Sequence, residues 1–209
     1  MRVRPVRVVG LVDELADRVE ALGPGRLRVI VDGAPPARPG PLADQLAGEL
    51  RVRGRPTVRA SAVDFLRPAS VRLEHGHADP DELLDGWLDE PGLTRELLDP
   101  AGRASGATTV LARLWDAETD RAYREPRIPL APDSVLLLDG ALLLGRGLPA
   151  ELTVYLRLTE AALARTLPTE LQWTLPAYGR YDTERDPSAK ADVLVLADDP
   201  LHLAVVDAP

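Results

Sequence analysis

Apolar positions recur along the chain with two periods, and the switching between them predicts its elements. Leu11, Val12, Leu15, Val19 and Leu22 share one face at helical spacing, with acids opposite, so residues 10–22 predict an amphipathic helix. Gly23-Pro24-Gly25 ends it. Leu27 to Val31 is an apolar, β-branched run interrupted only by Arg28, the mark of a buried strand, and it closes on Asp32-Gly33. A proline-rich loop follows. Leu42, Leu46 and Leu50 then return to helical spacing in a helix predicted to open at Pro41, since proline is favoured at a first helical position. Thr57 to Ala62 predicts a second strand, and Asp64-Phe65-Leu66-Arg67-Pro68 leaves its end. Residues 69–100 read as irregular, then as helices carrying Leu83, Leu84 and Trp87 and then Leu93, Leu97 and Leu98. Residues 108–114 and 122–128 predict a hairpin turning at 116–120. Val135 to Leu138, Leu152 to Leu158 and Asp192 to Leu196 predict three more strands, with a helix over 160–167 between the last two.

Short buried strands separated by helical segments imply an α/β architecture: a parallel sheet with helices on both faces. Ligands of such sheets sit at the C-terminal strand ends. Asp32-Gly33, Asp64 and Asp139-Gly140 all fall at predicted ends. Each also has a plain structural role open to it as a turn or cap residue.

Composition narrows the function classes. The 209 residues suit one domain with additions: a helical extension over 1–24, then a single domain over 25–209 with a hairpin insertion at about 105–130 and a lid at about 165–185. Without cysteine there is no disulfide framework, thiolate metal site or thiol nucleophile. A net charge of −8 argues against a nucleic-acid surface. The longest apolar run, around Val135 to Leu144, is broken by Asp139 and is too short to span a bilayer. With no signal segment evident, a cytoplasmic location is expected, with no membrane partner; a homo-oligomer fits as well as a monomer. Lys190 is the chain's one lysine, so none stands near a candidate phosphate site.

The ordered series of motifs resembles the uridine kinase family, in particular its bacterial uridine kinase-like members in the P-loop kinase superfamily. The likeness runs from about residue 27 to 200. Asp32-Gly33 and the following loop and helix match the Walker A segment; Asp64-Phe65-Leu66-Arg67-Pro68 is similar to the family's Asp-x-Phe segment. Arg72, Asp89 and the Trp115-Asp116 pair resemble its substrate-site residues, and Asp139-Gly140 its second acidic strand end. The resemblance implies a three-layer P-loop-kinase-like fold, with a five-stranded parallel sheet, flanking helices and an inserted β-hairpin. It implies transfer of the γ-phosphoryl of ATP, with Mg2+, to the 5′-hydroxyl of a uridine- or cytidine-type nucleoside. On that reading Asp64 is the catalytic base. Gly33, Arg38, Gly40 and Arg165 meet the cofactor, Asp139 the metal, and Arg72, Asp89, Trp115 and Asp116 the substrate.

The chain departs from the family where phosphate is held. The pattern Gly, four residues, Gly, Lys, Ser/Thr places its last three positions on Arg38, Pro39 and Gly40. Pro35, Pro36 and Pro39 each remove an N–H from the loop that should cradle phosphate. The acid expected at position 63 is Val63, with Asp64 one residue later. Over Arg165 through Trp173, the stretch that corresponds to the family's arginine-rich lid, only Arg165 is left to contact phosphate. A second reading therefore stands beside the kinase: a catalytically inactive pseudokinase acting as a ligand-binding or regulatory module, with ATP and Mg2+ needed only if the chain is active. The expected small-molecule partner is a nucleoside or nucleotide. Trp87, Trp115 and Trp173 are candidates for stacking on a base, and Tyr178-Gly179-Arg180-Tyr181 for a lid. His75-x-His77 with Asp79 and Asp81 fits a solvated loop better than a metal site.

Overall fold

The computed structural model describes residues 2–200 and 202–207. Seven strands form one sheet in the order β1-β11-β10-β9-β2-β8-β3. These are β1 (Arg2–Val6), β2 (Leu27–Gly33), β3 (Thr57–Ser61), β8 (Val135–Gly140), β9 (Leu152–Arg157), β10 (Val193–Leu196) and β11 (Leu203–Asp207). The five from β10 to β3 run parallel, as expected. β1 and β11 are added antiparallel at one edge. The hairpin insertion makes two short ladders, β4 (Thr109–Val110) with β7 (Ile128–Pro129) and β5 (Trp115–Asp116) with β6 (Arg121–Ala122).

Helices cover both sheet faces. The longest are α1 (Val8–Ala21) and α2 (Pro39–Val52), packed on the same face. On the other face lie α3 (Ala69–Arg72), α4 (Pro80–Asp85) and α5 (Glu90–Leu93). The chain then adds α6 (Glu160–Thr166), α7 (Leu175–Arg180) and α8 (Pro187–Lys190). Two apolar clusters result. One joins Leu11, Leu15 and Val19 to Leu42, Leu46 and Leu50 across β2, β8 and β9. The other joins Ile30, Phe65, Leu84, Leu97 and Leu138. Strands β2 and β8 are covered on both sides, which is why Val29 to Val31 and Val135 to Leu138 read as apolar runs rather than alternating ones.

Two local differences from the sequence expectation bear on the site. Residues 2–6 are a strand paired to β11, not part of a helical extension. Helix α2 opens at Pro39 instead of Pro41. Both prolines lie in its first turn, where backbone N–H groups have no intrahelical partner, so either fits. Among the described residues, no helix is long and apolar enough to cross a membrane.

Candidate functional site

Register brings the C-terminal ends of four parallel strands, β3, β8, β2 and β9, level. Asp32 pairs with Gly140, Gly33 with Leu156, and Ser61 with Asp139. The β2–α2 loop arches over these ends and, with Val63 and Ala141, lines an open cleft. Gly33, Arg38, Gly40 and Asp139, four of the expected cofactor and metal residues, meet there. Gly33 is required by the close approach of β9: a Cβ there would lie 2.9 Å from Leu156 Cβ and 3.1 Å from its carbonyl oxygen.

The loop turns its donors inward. Ala37 N–H bonds to Ala34 O at 2.8 Å and Arg38 N–H to Pro35 O at 3.0 Å, closing a 3-10 turn over Pro35–Ala37. Pro35, Pro36 and Pro39 have none to offer. A phosphate nest needs several successive N–H groups aimed at one point; residues 35–39 aim none at the cleft. Arg38, at the position of the pattern's second glycine, has φ 62° and ψ 51°, the left-handed conformation. Its side chain is exposed.

Gly40 occupies the place of the pattern's Ser/Thr, and the geometry supports that register: a Cβ on it would come within 3.3 Å of Asp139 Oδ2. In P-loop proteins that hydroxyl and an acid on the neighbouring strand hold Mg2+. Here there is no hydroxyl, and both carboxylate oxygens are engaged. Arg59 donates to Asp139 Oδ1 at 2.7 Å and Ser61 Oγ to Oδ2 at 3.1 Å. Arg59 also bonds Asp44 at 2.9 Å and Leu137 O at 2.8 Å, which locks its guanidinium beside the carboxylate. Asp139 is 8% exposed. The donor set does not fit Mg-ATP held as this fold holds it.

Asp32 lies behind the cleft. It is fully buried, and its Oδ2 accepts from Leu143 N–H at 3.1 Å, Leu144 N–H at 3.0 Å and the Tyr181 hydroxyl. Its Oδ1 has no partner. Burial pushes its pKa up to about 6, only partly offset by those hydrogen bonds. Asp32 thus ties β2 to the segment after β8 and to the turn of chain beyond α7.

The remaining expected residues are held elsewhere. Asp64 pairs with Arg113 Nε at 3.2 Å, and Arg113 lies 3.8 Å above the Tyr123 ring. Val63, 59% exposed, lines the cleft. Arg72 is buried, donates to Arg67 O and Ala117 O, and sits 5.2 Å over Trp87. Asp89 caps α5 by accepting from Gly92 N–H at 3.0 Å. Trp115 Nε1 donates to Asp120 at 3.0 Å. Asp116 closes its own turn, and the Thr119 hydroxyl and the N–H groups of Glu118 and Thr119 hold its pKa low. Arg165 is exposed on the last turn of α6. His75 pairs with Glu82, and no metal-binding cluster of His, Cys, Asp or Glu occurs among the described residues.

No protein-family model matches the chain, and no curated protein matches it. Solved structures do. A possible uridine kinase from Bacillus stearothermophilus superposes with a TM-score of 0.71 at 21% identity, over 88% of this chain and 96% of that one. A candidate fructose transport system kinase from Silicibacter sp. TM1040 follows at 0.63 and 20%, over 89% and 96%. The YGR205w protein superposes at 0.55 and 16%, over 88% and 86%. The fold is uridine kinase-like.

Within that uridine kinase-like fold, sequence reasoning missed Arg59 and Ser61. Their signal was present: Thr57, Arg59 and Ser61 alternate with buried Val58 and Ala60, so one face of β3 carries a polar row toward α2 and Asp139. Beside the cleft lies a second, apolar cavity of about 260 Å³. Trp87 and Trp173 form one corner, with ring centroids 5.8 Å apart at 51°.

Proposed function

We propose that this chain is a pseudokinase: a small-molecule-binding protein on a uridine kinase-like fold, with a degenerate Walker A loop and no phosphoryl transfer from Mg-ATP. The observation that carries the reading is the Arg59–Asp139 pair. A guanidinium held at 2.7 Å stands on the carboxylate that a metal would need, with Gly40 beside it in place of a hydroxyl. Phosphoryl transfer depends on positioning and on neutralising charge at the phosphates. Loss of one preorganised donor costs about 100- to 1,000-fold, and here the lysine, the metal hydroxyl and the loop N–H groups are absent together. Asp64, the base that nucleoside phosphorylation would use, is turned to Arg113.

The test is a thermal-shift titration with Mg-ATP, paired with a radiolabel transfer assay on uridine and cytidine. A ligand at about 100 times its dissociation constant stabilises a fold by roughly 2.7 kcal/mol. We expect no shift with Mg-ATP and no labelled nucleotide product. Phosphouridine or phosphocytidine formed in proportion to enzyme, and lost in Asp139→Ala, would overturn the proposal.

A further inference from the structure

We infer that the cavity beside the loop binds an uncharged, mainly apolar ring compound and rejects ribosylated nucleosides. The inference rests on the reading of the chain as a binding protein and names the chemistry of its ligand.

The walls carry it. Besides the two tryptophans, the lining is Leu66, Leu83, Leu88, Leu142 and Leu171, closed by Ala62, Ala141 and Pro35. Two of the polar side chains among them are already engaged. Arg146, 3% exposed, pairs with Glu90 and donates to Leu84 O and Leu142 O. Thr174 Oγ1 donates to Leu171 O at 2.7 Å. No carboxylate or lysine faces the space. Two wall residues keep a polar handle: the buried Trp87 indole N–H and the Tyr178 hydroxyl have no hydrogen-bond partner among the described residues. Burial and the nearby Asp32 carboxylate both hold that phenol protonated, so it can donate.

A ribosylated base brings three hydroxyls and a ring oxygen, more polar groups than these two donors can satisfy, and each one buried unpaired weakens binding about 5- to 150-fold. A phosphate or carboxylate would cost more, with no free cation to meet it. An aromatic ring finds the opposite: aliphatic walls, an aromatic corner and two donors, the Tyr178 hydroxyl and the Trp87 indole N–H, for a single acceptor. At about 260 Å³ the space lies just under the roughly 300–1,000 Å³ of drug-sized sites, which suits one or two rings.

The test uses 2-naphthol and p-cresol as probes, with uridine as the ribosylated competitor, followed by calorimetry and ligand-observed NMR on the full chain. Both probes are expected to bind at one site, and uridine to leave them bound. Tyr178→Phe should weaken 2-naphthol about fivefold, the equivalent of one hydrogen bond, while leaving naphthalene unchanged. Leu171→Trp, at a wall position 38% exposed and so tolerant of a larger ring, should weaken all three probes by narrowing the space. The inference is overturned if neither phenol binds to protein that keeps its cooperative melt, if uridine displaces them, or if both variants leave binding unchanged. Uridine binding without phosphorylation sinks this inference alone. Phosphorylated product sinks the pseudokinase reading, whatever the phenols do.

Discussion

Two buried aspartates at neighbouring strand ends meet opposite fates, and charge explains both. Asp139 is paired with Arg59, so its negative charge is compensated where it stands. Among the described residues Asp32 pairs with no cation; it has three donors on one oxygen and none on the other. A carboxylate so placed is easier to keep neutral than charged. Its folded-state pKa of about 6 lies above the unfolded value of 3.8. The native state therefore holds the proton more tightly, and the group's contribution to stability, complete below about pH 4, is lost as pH rises through about 6. Two pKa units correspond to about 3 kcal/mol. Asp32→Asn removes the titration. Urea unfolding of both proteins between pH 3 and 8 should give a stability difference that moves in favour of the variant by about 3 kcal/mol in all, about 2 of it across pH 4–6, and is flat above about pH 7. A difference independent of pH would mean that Asp32 stays ionised. The tyrosines around it, Tyr155, Tyr178 and Tyr181, are all pushed up by burial, so none titrates in that window.

At the scale of elements, the β2–α2 loop stores strain that can be measured. Arg38 adopts φ 62°, which costs a non-glycine residue about 1–2 kcal/mol, and it precedes Pro39, which restricts it further. Nothing in the fold repays this through its exposed side chain. Arg38→Gly relieves the strain but adds unfolded-state entropy, so a net gain of about 0.5–1 kcal/mol is expected, raising Tm by about 1–4 °C. An unchanged or lower Tm would show that the arginine makes up its own conformational cost. The same scale shows what was legible in the sequence. The five parallel strands and α2 were, because burial on both faces or on one stripe writes a clear period. The meeting of Gly33, Arg38, Gly40 and Asp139 was, because loop and strand ends follow from that order. Strand β1 was not: Arg2, Arg4 and Pro5 give it the composition of a protected edge, exposed along most of its length. The engagement of Asp139 was not, because Arg59 is 80 residues away and only the β3–β8 register brings them together.

For the whole molecule, residues 2–22 are integral to the packed sheet rather than an appendage. β1 pairs with β11 over five positions, and β11 in turn closes β10. Helix α1 buries Leu11, Val12, Leu15, Ala16 and Val19 in the same cluster as Leu46 and Leu50 of α2. Each large aliphatic side chain buried there contributes about 1.5–3 kcal/mol. Four of them are a large fraction of the 5–15 kcal/mol that holds a domain folded. Removal of residues 1–22 also bares the apolar side of α2 and opens β11 as an unpaired edge, which invites association. The truncated chain is expected to bind 1-anilinonaphthalene-8-sulfonate, to aggregate on gel filtration and to lack a cooperative melt. Leu15→Ala in the full chain should melt cooperatively with a loss of about 2–5 kcal/mol. A truncated protein that stays monomeric and melts sharply within a few degrees of the full chain would reverse the argument. It would mean that α2 and β11 find their own cover and that the segment over 1–22 is a separable extension after all.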